Sequence, residues 1–332
     1  MATEGDLLRW GVISTANIGV KAIIPAIQAS SNGRLVAIAS RDLARAESVA
    51  LRERGARAYG SYQALLDDPN VDAVYVPLPN SQHLEWTVKA AAAGKHVLCE
   101  KPLGLTAAEV EAMYDACERA GVLLMEAFMY RFHPQIVWAH EQVAAGRIGP
   151  LRMIRSSFMF DLRGSSPDNI RLSGPLGGGS LMDVGCYPLS LCRLFFGVAP
   201  ERVAAMVSEP GEREVEWGVQ AALDFGEGRR GLIDSSFALP WSQGAELIGD
   251  LGRLIIPRPF TPKKVETVVR LEEGEETYAR RFAPVDQYQL QVERFAECAR
   301  TGQTPPFSRE DALAQARGIE MIYASAGYRW PR

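Results

Sequence analysis

The first third of the chain alternates short apolar strands with amphipathic helices, and this alternation is what most restricts the possible fold. Strands are predicted at residues 8–13, 34–39, 56–59, 73–76, 96–99 and 123–125, with helical segments between them. Most of these strands are apolar at consecutive positions, so we expect both of their faces to be buried. Buried strands separated by helices predict a doubly wound parallel sheet of the Rossmann type.

The remainder of the chain is richer in strands. Strands are predicted at residues 152–160, 203–206, 219–224, 230–237, 244–249, 252–256 and 266–271, and helices at 133–145, 183–196, 287–300 and 308–328. Runs of strands after a wound sheet indicate a second domain of the α+β class. A length of 332 residues suits two domains. We therefore predict a nucleotide-binding domain at 1–125 and a second domain at 126–332.

Charge and composition exclude several classes of function. The net charge is −4 and both signs are interspersed, which argues against nucleic acid as a partner. No apolar run is long enough to span a membrane, and no secretory leader pattern is present, so we expect no membrane association. Five cysteines without a CxxC pair favour a reduced, cytoplasmic protein. The four histidines lack metal-ligand spacing, so no metal site is predicted.

The turn after the first strand is the candidate cofactor site. The usual dinucleotide fingerprint is GxGxxG, and its three positions read Ser14, Ala16 and Gly19 here. A helix N-terminus with free N–H groups attracts a pyrophosphate, and small residues let it approach. The predicted contacts at this turn are Ser14, Thr15, Ala16, Asn17 and Ile18. The alternative is an ordinary tight turn between a strand and a helix.

The end of the second strand bears on the choice between NAD and NADP. NAD enzymes usually place Asp or Glu there to bind the ribose 2′-hydroxyl, whereas this chain has Ser40 and Arg41. A hydroxyl can donate to a 2′-phosphate, and a guanidinium can bind one with two hydrogen bonds. These residues favour NADP over NAD. The alternative is a solvated arginine without a ligand.

Several motifs together resemble the glucose–fructose oxidoreductase/inositol dehydrogenase (Gfo/Idh/MocA) family. They are residues 77–83, residues 94–102 with Glu100-Lys101-Pro102, and residues 177–187 with a triple glycine, Asp183 and Tyr187. Residues 124–134 and Tyr187 are most similar to one branch, which includes dimeric dihydrodiol dehydrogenase, NADP-dependent D-xylose dehydrogenase and some nucleotide-sugar ketoreductases. The inositol dehydrogenase branch has His where this chain has Tyr187.

The resemblance implies a fold, a set of site residues and an assembly. It implies that the second domain carries a large, mostly antiparallel open sheet that commonly forms the interface of a homo-oligomer, a dimer or a tetramer. It assigns Lys101, Tyr187 and Asp183 to proton transfer and substrate binding. It also assigns a group of residues to the cofactor site, namely Pro77, Leu78, Pro79, Asn80, His83, Glu100, Lys101 and Arg131.

Interconversion of an alcohol and a carbonyl needs an acid/base within hydrogen-bond reach of the substrate oxygen. For Tyr187 to serve near pH 7, its pKa must fall by about 3 units, which corresponds to about 4 kcal/mol. A cation about 4 Å away at an effective dielectric of about 20 supplies a similar energy. Lys101 together with the charge of the oxidised nicotinamide therefore suffices. Without the resemblance, the sequence pattern would predict that Tyr187 is a half-buried core tyrosine and that Asp183 is a helix N-cap.

Three functions remain open on the sequence. The first is an NADP-dependent oxidoreductase that interconverts a hydroxyl and a carbonyl on a sugar, polyol or diol. The second is a ketoreductase for nucleotide-linked sugars, and the third is a cofactor-binding sensor without turnover. The presence of Lys101, Asp183 and Tyr187 favours an enzyme over a sensor.

Overall fold

A computed structural model describes residues 7–53, 55–166, 168–208 and 215–329 of the chain. The chain folds into two compact units. The first unit contains Met1–Met129 and Asp286–Leu313, and the second contains Tyr130–Val285 and Ala314–Arg332. Each unit is described by itself below.

The first unit holds a six-stranded parallel sheet. Its strands are β1 (Leu8–Ile13), β2 (Gly33–Ala39), β3 (Arg57–Tyr59), β4 (Ala73–Val76), β5 (His96–Cys99) and β6 (Leu124–Glu126). They are hydrogen-bonded in the order β3-β2-β1-β4-β5-β6, and every pair is parallel. The order reverses between β1 and β4, which is the place where such sheets bind ligands at the carboxyl ends of their strands. The predicted Rossmann sheet is confirmed.

The second unit holds an eight-stranded sheet. Its strands are β7 (Leu151–Met159), β8 (Arg202–Val207), β9 (Gly218–Asp224), β10 (Arg230–Ser236), β11 (Ser242–Gly249), β12 (Gly252–Ile256), β13 (Thr267–Glu273) and β14 (Glu276–Phe282). The order is β14-β13-β12-β11-β7-β10-β9-β8. Only the β7–β10 pair is parallel. The predicted mostly antiparallel open sheet is therefore confirmed.

The α-helices cover the faces of these sheets. They are α1 (Ile24–Ala29), α2 (Leu43–Ala50), α3 (Tyr62–Leu66), α4 (His83–Ala92), α5 (Ala107–Ala120), α6 (Pro134–Ala144), α7 (Cys186–Phe196), α8 (Gln287–Thr301) and α9 (Arg309–Ser325). Two π-helical turns, Gly19–Ile23 and Leu181–Gly185, lead directly into α1 and α7. Within the described part of the chain, no helix has the length and apolar character that a membrane crossing requires.

Local signals set most of the helix boundaries. The Asp42 carboxylate accepts from Ala44 N–H at 3.0 Å, and the Thr106 hydroxyl accepts from Glu109 N–H at 3.1 Å, so both residues are N-caps. The sequence pattern after Asp42 predicts a helix to about residue 54. The helix ends at Ala50, and residue 54 lies outside the described residues.

The grouping into units differs from the predicted division at residue 125. The first unit continues to Met129 and also includes residues 286–313, which the prediction placed in the second domain. The reason is the packing of α8 against α1. Trp10 of β1 is fully buried and its ring lies 4.9 Å from that of Phe295 in α8. Such a contact between residues far apart in the chain has no signature in local sequence.

The sequence analysis also missed strand β14. This strand forms the edge of the second sheet, and six of its seven residues are exposed. Edge strands carry charged side chains that discourage pairing with other chains, so they lack the apolar alternation that predicts a strand. Its pairing with β13 is what defines it.

Candidate active site

The turn after β1 has a strained backbone at Ser14. Ser14 has a φ of 107°, a region that glycine adopts readily and that other residues rarely occupy. Its N–H donates to Ala39 C=O at 3.0 Å, and its hydroxyl accepts from Ala16 N–H at 3.1 Å. The turn thus retains the backbone course of a glycine fingerprint although serine replaces the glycine. Strain of this kind is typical of ligand-binding turns.

The helix after this turn begins at Asn17 and continues into the π-helical turn Gly19–Ile23. Val20 N–H donates to Ala16 C=O at 3.0 Å, so the helical bonds start there. The N–H groups before Val20 belong to the first turn, which cannot bond within the helix. They form the positive end of the helix dipole, so the predicted residues Thr15 to Ile18 occupy an anion-binding position.

The end of β2 places a hydroxyl and a guanidinium side by side. Ser40 is buried, and its hydroxyl accepts from Asp42 N–H at 3.2 Å. A hydroxyl that accepts one hydrogen bond can still donate its own hydrogen. Arg41 is exposed. This pair fits an anionic 2′-phosphate better than a neutral 2′-hydroxyl.

The loop after β4 carries the predicted residues Pro77, Leu78, Pro79 and Asn80, with His83 at the start of α4. His83 is fully buried, and its two ring nitrogens lie 3.0 Å from Pro102 C=O and 2.9 Å from Leu78 C=O. Burial lowers its pKa to about 4, with a smaller contribution from the charge of Lys101. A neutral ring has one N–H, so it donates to one of these two carbonyls, and the buried ring packs between the loop after β4 and the loop after β5. This is a positioning contact, and direct binding of a cofactor by His83 stays a prediction.

Glu100 and Lys101 follow directly after β5. The Glu100 carboxylate accepts from the Tyr75 hydroxyl at 2.5 Å and from Lys101 N–H at 3.3 Å. The Lys101–Pro102 peptide bond is cis. Because Tyr75 belongs to β4, its bond fixes the end of β5 against the neighbouring strand. Lys101 is thereby held at the carboxyl edge of the parallel sheet.

In the second unit, the triple glycine precedes the helix that carries Asp183 and Tyr187. Gly179 N–H donates to Arg171 C=O at 2.9 Å. A Cβ on Gly178 would lie 2.4 Å from the Arg171 carbonyl oxygen, and a Cβ on Gly179 would lie 2.3 Å from the Glu216 Oε2. Gly179 also has a φ of +113°. Only glycine lets the chain pass this close to a backbone carbonyl and then to a buried carboxyl.

Asp183 lies within the π-helical turn Leu181–Gly185, and its backbone N–H donates to Gly179 C=O at 3.1 Å. Its carboxylate accepts from Arg171 Nε at 2.7 Å. The helix has already begun before Asp183, so Asp183 is a first-turn acid rather than an N-cap. A carboxylate in this position interacts favourably with the helix dipole.

Tyr187 stands in the first turn of α7 and is 5% exposed. Its ring lies 5.9 Å from that of Tyr130, 5.5 Å from that of Phe158 and 5.4 Å from that of Phe260. Phe158 packs directly on Tyr187. Aromatic packing on three sides restricts the ring and fixes the direction of its hydroxyl.

Arg131 lies in the second unit, apart from the other residues predicted to bind the cofactor. It is buried, and its Nε and one terminal nitrogen donate to the Ser190 hydroxyl at 3.1 and 2.6 Å. The Tyr130 hydroxyl lies 2.9 Å from the same oxygen. Ser190 is three residues after Tyr187 on α7, so this network anchors the helix that carries Tyr187.

Most of the predicted cofactor residues lie in the first unit, and Arg131 lies in the second. Those on the loops after β1, β2, β4 and β5 lie at the carboxyl edge of one parallel sheet. Sequence reasoning missed Ser190, although its spacing from Tyr187 places both on one helix face. It also missed Glu216, whose partners lie 35 and 107 residues away along the chain and leave no local signal.

No group of three or more His, Cys, Asp or Glu side chains within the described residues could hold a metal ion. The candidate chemical groups named above are an ammonium on one unit and a phenol with a carboxylate on the other.

A parallel sheet in this order, with a strained turn before its first helix, defines a dinucleotide-binding protein. The family model described as "Oxidoreductase family, NAD-binding Rossmann fold" matches residues 8–128, and the model described as "GFO/IDH/MocA C-terminal domain" matches residues 136–255. The chain belongs to the Gfo/Idh/MocA family of oxidoreductases.

The chain is similar to several named members of the family. The chain is 43% identical to D-xylose 1-dehydrogenase (NADP(+)) 2 from Haloferax volcanii, over 96% of this chain and 97% of the relative. It is 36% identical to mouse trans-1,2-dihydrobenzene-1,2-diol dehydrogenase, over 81% and 79% of the two chains. The chain is also 34% identical to a 3-ketoreductase from Actinomadura kijaniata, whose crystal structure was determined in complex with NADP and TDP-benzene. The two structures match with a TM-score of 0.90 over 96% of this chain and 98% of the ketoreductase.

Proposed function

We propose that this protein is an NADP-dependent oxidoreductase that interconverts a hydroxyl and a carbonyl on a sugar, a polyol or a related diol. Membership of the Gfo/Idh/MocA family supports an oxidoreductase, and the named relatives are sugar or diol dehydrogenases and a ketoreductase. The observation that carries the proposal is the convergence of four loops, with their predicted cofactor residues, at the carboxyl edge of one parallel sheet.

The residues at this edge fit NADP. The first-turn N–H groups after Ser14 suit a pyrophosphate, and the strained turn lets it approach the backbone. The hydroxyl of Ser40 and the guanidinium of Arg41 suit a 2′-phosphate. Bound NADP supplies the hydride chemistry that no side chain can perform.

The side chains of the protein handle the proton. We assign the acid/base role to Tyr187, whose Oη takes the proton from the substrate hydroxyl during oxidation and returns it during reduction. The Lys101 ammonium stabilises the negative charge that develops on the substrate oxygen and favours the ionised form of Tyr187. Asp183, already paired with Arg171, accepts from a neighbouring substrate hydroxyl.

A substrate panel tests the proposal. The purified protein is assayed with NADP⁺ and NAD⁺ against aldoses, ketoses, polyols and aromatic diols, by following the absorbance of the reduced nicotinamide. We expect turnover with at least one sugar or diol, and faster turnover with NADP⁺. NADPH binding without turnover on any panel member would instead identify a sensor, and the absence of NADPH binding would contradict the proposal altogether.

A second candidate is a ketoreductase for nucleotide-linked sugars, favoured by the 0.90 TM-score to the enzyme crystallised with TDP-benzene. The two candidates differ in whether a nucleotide group on the sugar lowers the KM of the reaction. If a thymidine diphosphate group on the sugar lowers KM strongly, the ketoreductase assignment is correct. If free sugars react as well as nucleotide-linked ones, the dehydrogenase assignment stands.

We also propose that the protein forms a dimer or tetramer through the outer face of the second sheet. Met206 of β8 is 70% exposed and Leu232 of β10 is 39% exposed, and both lie on the face opposite the half-buried residues of β8 and the buried residues of β10. Exposed apolar side chains on a sheet face suit a second copy of the chain. Light scattering after gel filtration should give a mass of two or four chains. The five cysteines are free and buried, which suits a reducing compartment such as the cytoplasm.

A further inference from the structure

Glu216 is a fully buried carboxyl beside the start of the helix that carries Asp183 and Tyr187. It lies two residues before β9, and its relative exposure is 0%. Acidic side chains are almost never fully buried without a partner or a function. Sequence analysis did not single it out, and the mechanism proposed above does not use it.

The contacts of Glu216 converge on three consecutive residues. Its Oε1 accepts from Leu181 N–H at 2.8 Å, and its backbone C=O accepts from Ser180 N–H at 3.2 Å. The carboxyl also occupies the space in which Gly179 would carry a Cβ. Glu216 therefore satisfies first-turn N–H groups of this helix from a distant part of the chain, as an N-cap would do locally.

Two opposing effects act on the ionisation of this carboxyl. Burial raises the pKa of Glu216 to about 7, while the hydrogen bond from Leu181 N–H and that from the Tyr323 hydroxyl, at 3.1 Å, work in the opposite direction. Among the described residues, none forms an ion pair with Glu216, and its Oε2 has no hydrogen-bond partner. The titratable groups that face it are the phenols of Tyr323 and Tyr328, whose own pKa values are raised, so both are neutral near pH 7.

We propose that Glu216 is a positioning residue that fixes the start of the helix bearing Asp183 and Tyr187, and that ionisation of its carboxyl loosens this hold. A buried carboxylate without a cation beside it is less favourable than the neutral acid, so ionisation favours conformations in which the carboxyl reaches water. The neutral carboxyl thus restricts the first turn and the tyrosine that follows it. This inference rests on the proposed function, since it acts through the acid/base role assigned to Tyr187.

The first test is the pH profile of kcat in three variants. In the wild type we expect kcat to carry a downward step of about fivefold near pH 7, in addition to the titration of Tyr187, because the helix is held less firmly once Glu216 ionises. Glu216→Gln keeps an acceptor for Leu181 N–H but cannot ionise, so this step should disappear and only the titration of Tyr187 should remain. Tyr323→Phe removes a bond that favours the charged form, so the step should move to higher pH.

Asp234→Asn serves as the control for the loss of an acidic side chain. Asp234 lies on the exposed face of β10 in the same sheet, and it has no place in the contacts of Glu216. Its removal should leave the profile unchanged. A Glu216→Gln profile that superimposes on that of the wild type would overturn the proposal. So would a loss of the step in Asp234→Asn.

A second test needs no turnover. Hydrogen exchange of peptides covering residues 176–190 is followed by mass spectrometry from about pH 5 to pH 8. We expect the protection factors of wild-type protein to fall as pH rises towards about 7, because opening lets the carboxyl ionise, and those of Glu216→Gln to stay flat. Equal protection factors in both proteins would refute the positioning role. If no substrate reacts, the proposed function fails, while this measurement still decides the role of Glu216.

Discussion

The two units hold their candidate functional groups in different ways. In the first unit, these groups sit on loops just past the ends of β1, β2, β4 and β5, and the parallel backbone aligns the loops. In the second unit, Tyr187 lies on a helix whose start contacts Ser235 of β10 and Glu216 of the loop before β9, and Glu216 in turn accepts from Tyr323 of α9. The first arrangement follows from topology, whereas the second depends on a network of individual side chains.

The difference has a consequence for mutation. A loop residue at a sheet edge can be replaced with little effect on the fold, because the strands keep their hydrogen bonds. A residue in the network around the glycine loop is buried and shares partners with its neighbours, so its replacement affects both stability and position. The following predictions test this contrast, from the largest expected effect to the smallest.

Lys101→Met should have the largest effect on turnover and a small effect on stability. Loss of the ammonium removes stabilisation of the developing charge, and we expect kcat to fall by about 10³-fold. NADPH binding, measured by fluorescence titration, should change little. Lys89→Met is the matched control, because Lys89 lies on α4, is exposed and pairs with Glu85. If both variants lose activity equally, Lys101 has no special role.

Tyr187→Phe should lower kcat by about 10²-fold, because the variant lacks the group that transfers the proton. The ring keeps its packing against Phe158 and Phe260, so the thermal midpoint should stay near that of the wild type. Tyr114→Phe is the control, since Tyr114 is also a buried tyrosine, and its hydroxyl has no hydrogen-bond partner among the described residues. Full activity in Tyr187→Phe would remove Tyr187 from the mechanism.

Gly179→Ala and Gly197→Ala compare two glycines with positive φ. Gly197 has nothing within 4 Å of an added Cβ, so its replacement should cost about 1 kcal/mol of backbone strain. At Gly179 the added Cβ also meets the buried Glu216 carboxyl, and we expect a further loss of about 2 kcal/mol. Urea unfolding measures both. Equal losses would show that the Glu216 carboxyl moves aside without cost.

Arg41→Asp should have the smallest effect of the series, confined to the cofactor. A carboxylate repels a 2′-phosphate and accepts from a 2′-hydroxyl, so the ratio of NADPH to NADH affinity should fall by about tenfold. Arg45→Asp, on the exposed face of α2, is the control for the change in charge. Tighter binding of NADH than NADPH by the wild type would already overturn the roles given to Ser40 and Arg41.

The free energy of unfolding adds a pH test for the second unit. Below about pH 4.5, Glu216 is protonated in both the folded and the unfolded state. Between about pH 4.5 and 7 the unfolded chain loses this proton while the folded chain keeps it, so stability falls as pH rises. Above about pH 7 this contribution becomes constant. Urea titrations should show that Glu216→Gln lacks this fall.

The sequence by itself determined the Rossmann sheet and which residues lie at its carboxyl edge. Short apolar strands between amphipathic helices have one compact solution, and the carboxyl ends of parallel strands necessarily share an edge. The positions of the residues after each strand, such as Ser14, Ser40 and Lys101, could therefore be predicted from their place in the chain, while their contacts with a cofactor or a substrate stay a prediction. The N-caps Asp42 and Thr106 are also set by local sequence, because a capping side chain bonds an N–H two or three residues further on.

Only the tertiary structure decided the rest. Residues 286–313 belong to the first unit because α8 packs there. Strand β14 is defined by its pairing with β13. The burial of Arg131 against Ser190, and of Glu216 against the glycine loop, depends on residues 59 and 35 positions apart in the chain. Contacts of this kind form when packed surfaces meet, so periodicity, capping and spacing carry no record of them.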